Sequence, residues 1–342
     1  MKSSTTSTVM KWVGYGTAVL SLLAGIGQIG RMVAGRLESG RKLDALLSSE
    51  ALQLKGQDYW SAWRSLDQAS QIDPDSIKIR AAQETLAMQW LENIRVMENE
   101  KFSDIAEKLE PVLSRGAASE KAASRQADLL AHMGWSYFLR NRDGRFGLDP
   151  AGPYAEAVKK DANNPYAQAM WGHWILWNNG DLADAERHFS SALASHREQD
   201  YIRQIQLSGL MNVDNDQHQE EVIRVANAIR LEQGSVDKTM RSRIFSIYYF
   251  RLLRPSAATP AFIYAVAPAD HIATFRWLFD GLEVDESNSL LRAFYLCALQ
   301  EAAGQREDAL AGYQRLKPSL AGRNGSLADG IDAGIKRLSR TP

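Results

Sequence analysis

Gly180-Asp181-Leu182-Ala183-Asp184-Ala185-Glu186-Arg187-His188-Phe189-Ser190-Ser191-Ala192 decides how this chain is read. Ala185, Phe189 and Ala192 stand on one side of a helix as small, large and small, and Gly180 lies five residues before the first of them. Two antiparallel helices approach closely only where small side chains let their backbones come together. Large residues one turn away fill the volume that is left, and neither helix buries its face without the next pair.

The spacing recurs. Asp58-Tyr59, Ala62, Leu66, Ala69 and Pro74 give large, small and proline at +4, +7 and +12 from Ala62. Gly304, Ala309, Tyr313 and Leu316 give it again. Tyr154 and Ala157, followed by Asp161, preserve the end of a further copy, and Met133-Gly134 with Tyr137 its beginning. With these residues the chain resembles the tetratricopeptide repeat (TPR) family, whose 34-residue unit carries this pattern. The resemblance covers about 44–76, 125–196 and 287–318. Residues 77–116 read as a degenerate copy, with Phe102, Ile105, Leu109 and Val112 on its second helix. The stretch 197–285 is helical by pattern but departs from the repeat; Arg254-Pro255 and Pro260 to Pro268 predict a loop-rich insert or an altered pair. Residues 326–339 read as a capping helix.

The fold expected is therefore all-α: a TPR-like α-solenoid of antiparallel helix pairs, preceded by one N-terminal transmembrane helix. Its parts are 1–40, a tail and anchor; 41–196, TPR-like repeats; 197–285, an irregular helical region; and 286–342, a last repeat and cap. The anchor rests on Trp12 to Gly30, a run of 19 residues without a charge between Lys11 and Arg31. At about 1.5 Å per residue such a helix spans roughly the hydrocarbon core of a bilayer. No small-x-small cleavage site follows it, and Cys297 is far too late for a lipobox. This places the chain in a membrane as a single-pass protein, with a bacterial inner membrane as the expected location. Lys2 and Lys11 precede the span while Arg31, Arg36, Arg41 and Lys42 follow it, so the positive-inside rule leans narrowly toward a cytoplasmic large domain.

Inside the same run, Gly25-Ile26-Gly27-Gln28-Ile29-Gly30 matches GxGxxG. A dinucleotide site needs those glycines after a strand, within a βαβ unit. No strand-rich sequence follows, and a Gly-rich membrane helix accounts for the match. Composition narrows the rest. With 45% hydrophobic and 24% charged residues the chain has the profile of a folded protein, and its net charge of -1 gives no electrostatic case for nucleic acid. Its single cysteine, Cys297, falls at a small-residue position and reads as a packing thiol.

Six histidines are scattered at 132, 173, 188, 196, 218 and 271, without an HExxH or an i, i+4 pair. Asp214, Asp216, His218, Glu220 and Glu221 are the densest group of oxygen ligands, but they lack the glycine of an EF-hand loop and read as a helix start. GxSxG and P-loop motifs are absent. No catalytic residue, cofactor or metal ligand is assigned.

Trp171, Trp174 and Trp177 crowd one helix. The resemblance implies a concave face, lined by first helices, that takes a peptide or helix. Counting forward from Tyr154 and Ala157 starts the repeat at Pro165 and gives Gly172 the small position. Tyr166, Met170, His173 and Trp177 then form an i, i+4, i+7, i+11 stripe in the groove, and Trp171 is core. Counting back from Ala185 shifts everything by one and puts Trp171 and Trp174 in the groove instead. The lysine and asparagine pattern that clamps C-terminal carboxylates is not evident in this helix. The function expected is a membrane-anchored scaffold or adaptor holding a protein or peptide partner in an aromatic-rich groove. Its alternatives are an envelope protein assembly or folding factor, or a helical enzyme or small-molecule binder using 197–285.

Overall fold

The computed structural model describes residues 38–93, 101–144, 147–212, 215–282, 285–320 and 325–340. The expected anchor at 12–30, and the glycines within it, lie outside the described residues. Among the described residues no helix is long and apolar enough to cross a membrane. They contain helix and turn, without a strand. The chain divides into two compact units, one ending at Trp90 and the other beginning at Leu91.

In the first unit α1 covers 38–55 and α2 runs Tyr59–Ile72. Asp58 caps α2, its carboxylate accepting from the Ser61 N–H at 3.0 Å. Ala62, Leu66 and Ala69, three of the residues singled out by spacing, have no exposed surface. Ser65 Oγ donates to Gln53 Oε1 at 3.0 Å, joining α2 to α1. Trp60 meets the Trp90 ring edge-on at 4.8 Å. Trp90 belongs to α3 (Ile77–Glu92).

The second unit is a succession of helix pairs: α4 (Ser103–Ser119), α5 (Ala123–Gly144), α6 (Ala151–Lys160), α7 (Pro165–Trp177), α8 (Leu182–Ala194), α9 (Gln199–Leu210) and α10 (Asp216–Leu231). Then come α11 (Lys238–Tyr248), a π-helical turn (Tyr249–Leu253), the short α12 (Thr259–Ile263), α13 (Pro268–Phe279), α14 (Glu286–Ala302), α15 (Arg306–Leu316) and α16 (Ser326–Ser339). Helix starts follow side-chain chemistry. Asn164, Asp181, Asn215, Asp237 and Asp285 each accept a backbone N–H of the first turn at 2.8–2.9 Å. Pro165 and Pro268 occupy first positions, where a missing N–H costs nothing.

Small residues mark the crossings within pairs. A Cβ built on Gly134 falls 2.5 Å from the Tyr154 ring of α6, and one on Gly312 falls 2.4 Å from Cys297 Sγ. On Gly172 it stands 3.1 Å from both the Ala185 carbonyl oxygen and the Phe189 ring. Ala185, Phe189 and Ala192 are buried. Both of the register anchors are therefore right, and they disagree by one because the turn Asn178-Asn179-Gly180-Asp181 is one residue longer than the repeat count assumes.

Between pairs, first helices contact first helices: α5 against α7, and α7 against α9. Rings carry the same relation from α11 to α14, with Phe245 and Tyr295 centroids 5.3 Å apart. Second helices meet likewise, Arg230 of α10 reaching Asp270 of α13 at 3.1 Å. The stretch 197–285 is an altered continuation of the pairs. Its α9 and α10 form a pair, while α11 ends in the π turn and α12 intervenes before α13.

Candidate functional site

Helix α7 is apolar or aromatic at almost every position, so sequence periodicity does not single out its buried face. Tyr166, Met170, His173 and Trp177 do share one face, as the count implied. That face is packed between α5 and α9. Tyr166 lies against the His132 ring at 4.7 Å and the Tyr201 ring at 5.7 Å. His173 meets Trp135 at 5.0 Å and Phe138 at 5.1 Å, and its Nε2 lies 3.4 Å from Ser208 Oγ. Relative exposure is 8% for Tyr166 and nil for Met170 and His173. The expectation of an open stripe is corrected for these three: neighbouring first helices close over them. Trp177, whose ring meets Phe138 at 5.1 Å, keeps part of its surface exposed.

Burial sets the chemistry of this face. It pushes the His173 imidazole down to about 3, with the Arg142 charge adding to the effect, so His173 is neutral at pH 7. Tyr166 is pushed far up by burial and by the carboxylates of Glu92, Glu198 and Asp128. A polar cluster surrounds its hydroxyl. His132 Nδ1 donates to the Asp128 carbonyl at 2.7 Å, and His132 Nε2 lies 3.0 Å from Glu92 Oε1. Asn164 Nδ2 donates to Asp128 Oδ1 at 2.7 Å. His132, Tyr166 and Tyr201 are 34 and 35 residues apart, so they are equivalent positions on three successive first helices. Stepping one repeat either way from Tyr166 finds both neighbours; the scattered histidine count did not.

The other indoles of α7 differ from the stripe. Trp171 packs on the His188 ring of α8 at 4.7 Å, and Trp177 faces α5. Trp174 lies on the arc between them, since three-residue steps turn about 60° short of a full revolution. Trp171, Trp174 and Trp177 all remain partly exposed, so the two alternative registers each contribute to one aromatic strip.

The remaining candidates resolve into packing and pairing. Cys297 is buried against Gly312, and burial pushes its thiol up to about 11. Asp214 lies outside the described residues. Asp216 pairs with Arg251, and Glu220 and Glu221 both pair with Arg224. Among the described residues no three His, Cys, Asp or Glu side chains are grouped to hold a metal ion. In the irregular region a cavity of about 290 Å³ opens between α9, α10 and α11. Its described lining is mainly apolar, with Arg243, Gln219 and Ser246 as the polar members.

No family model matches the sequence, and no curated protein matches it. Among solved structures, the chain is similar to a tetratricopeptide repeat protein from Parabacteroides merdae. The two share 12% identity with a TM-score of 0.41, over 88% of this chain and all of that one. A likeness of that size fixes neither family nor function; the helix-pair architecture rests on the packing described above.

Proposed function

We propose that this protein is a membrane-anchored scaffold or adaptor that holds another protein against its stacked helix pairs. The observation that carries the reading is the strip of Trp171, Trp174 and Trp177, three partly exposed indoles on one first helix whose remaining faces are packed. Indoles offer large contact area with few rotatable bonds, which is why they dominate interface energetics. The buried residues beneath, Tyr166, Met170 and His173, serve as the rigid floor that fixes the strip. The charge-free run from Trp12 to Gly30 supplies the anchor in this reading and raises the local concentration of the strip at the membrane. A bacterial inner membrane with the helix pairs on the cytoplasmic side is the arrangement proposed.

Cross-linking and affinity capture of the intact chain from membranes test it, with the parent compared with Trp174→Ala/Trp177→Ala. The reading requires a discrete partner that the parent retains and the double variant loses. Equal capture by both would remove the strip from the interface.

A further inference from the structure

Where α5, α7 and α9 meet, near the first turn of α7, two tyrosine hydroxyls are left over from the packing. Tyr154 of α6 has no exposed surface and Tyr201 of α9 is only partly exposed, yet neither buried oxygen has a hydrogen-bond partner among the described residues. Tyr154, Tyr166 and the carboxylates of Glu92 and Glu198 all act on the Tyr201 hydroxyl, so these groups face one region. A buried hydroxyl without a partner destabilises a fold, and two of them facing one region mark a place that something polar fills.

The charge around that place has one sign. Burial pushes both Tyr166 and Tyr201 far up, and every charged group that adds to the effect is a carboxylate: Glu92 and Glu198 at both hydroxyls, Asp128 at Tyr166 as well. Asp128 Oδ1 accepts from Asn164 Nδ2 at 2.7 Å, while its Oδ2 lies 3.8 Å from the half-exposed Arg197, beyond a hydrogen bond. His132 Nδ1 donates to the Asp128 carbonyl, so its Nε2 meets Glu92 Oε1 through a shared proton. Both ring nitrogens are thereby engaged, and His132 acts to position Glu92. Even with that proton and Arg197 counted, the three carboxylates leave a negative charge without a partner.

The rim is built at a cost. His196 and Glu198 both take left-handed backbone, with φ of 55° and 51°, a conformation unfavourable for any residue with a side chain. The turn so formed brings Arg197 to Asp128 and the exposed Glu198 toward Tyr201.

We infer that this junction binds a primary alkylammonium group, held by the hydroxyls of Tyr154 and Tyr201 and the carboxylates of Glu92 and Glu198. Water would satisfy the hydroxyls and leave the charge, and the carboxylates are not grouped to hold a metal ion. An ammonium brings three N–H donors and one positive charge, and so answers both needs. A lysine side chain and a free amine both present this group. The site uses none of the indoles of the strip, and the inference does not depend on the adaptor reading.

Calorimetric titration of the full chain in phosphatidylcholine nanodiscs, with empty nanodiscs subtracted, tests it. The probes are butylammonium, Nα-acetyl-lysinamide and its uncharged analogue N-acetyl-norleucinamide. Saturable binding of both ammonium probes is expected, at least about tenfold tighter than the norleucine derivative. Tyr201→Phe removes a hydroxyl that has no partner, so melting should hold or rise while ammonium binding weakens about tenfold. Should that variant fail to fold, Glu198→Gln decides: its side chain is exposed and makes no capping bond, and ammonium binding should weaken severalfold with melting unchanged. Tighter binding of the lysine derivative than of butylammonium assigns the group to a peptide, and the reverse assigns it to a free amine. Lysine and norleucine derivatives binding alike, no saturable binding of either ammonium, or binding unchanged in the folded variants overturns the site and leaves the hydroxyls to water alone.

Discussion

The backbone of Gly172 lies so close to Ala185 that a Cβ at position 172 stands 3.1 Å from the Ala185 carbonyl oxygen, with the Phe189 ring equally near. This contact joins α7 to α8 and sets how far the aromatic strip stands from the second helix. Gly172→Leu and Ala185→Leu should each overpack the crossing and cost about 1–3 kcal/mol. Phe189→Ala should leave a cavity and cost about 3–5 kcal/mol. Urea denaturation measures all three, and midpoints equal to the parent's would mean the crossing lies elsewhere.

Met170 supplies the test of the buried floor. It has no exposed surface, so Met170→Ala should cost about 2–5 kcal/mol and lower the melting temperature. An unchanged melting temperature would return the stripe to the surface, where the sequence alone had put it.

That misplacement has a physical cause. Small-large-small spacing reports which residues cross within a pair, and it picked out Ala62, Leu66, Ala69, Ala185, Phe189 and Ala192, all of which are buried. Spacing says less about how neighbouring pairs close on each other. Helix α7 has almost no polar face to mark the solvent side, and His173, which looks polar in a sequence, is held neutral among Trp135, Phe138 and Ser208. The cavity was illegible for another reason: its lining comes from three helices, and its shape depends on a π turn that no residue pattern announces.

Acid should unfold the protein through its buried histidines. His173 is pushed down to about 3 and His271 to about 4, in both cases chiefly by burial, against about 6.5 in an unfolded chain. Between pH 6.5 and 4 the unfolded chain therefore binds protons that the folded chain refuses. Stability is fully present above pH 6.5 and falls as the pH falls, by up to ~1.4 kcal/mol per pH unit for each histidine. Urea midpoints between pH 7.5 and 5 measure the slope. His173→Gln should be less stable at pH 7 yet shallower across this window; an identical slope would show that His173 is accessible to protons in the folded state.

Cys297 should be chemically silent while the protein is folded. Its sulfur lies over Gly312, and burial raises its thiol to about 11, so thiolate is scarce at neutral pH. A thiol reagent at pH 8 should label it at least a hundredfold more slowly than in 6 M guanidinium, about the slowing that loss of thiolate alone gives over this shift. Equal rates would place the cysteine at the surface.

Membrane attachment is expected to reside in the first 40 residues. The full chain should stay with membranes through an alkaline wash, and a chain lacking residues 1–40 should be recovered in the supernatant as a folded, cooperatively melting protein. Release of the intact chain by the wash would remove the anchor from the account.

The claim that the indole strip of α7 is the partner surface is met most directly by site-specific photo-cross-linking in intact membranes. A photoreactive residue is placed at position 174 in one chain and at position 190, on the exposed side of α8, in another. The account predicts a discrete cross-linked species from position 174 that is absent from position 190 and is lost when Trp177→Ala is added, with melting of the labelled chains unchanged. Identical cross-linking from the two positions, or a species from position 174 that survives Trp177→Ala, would contradict it.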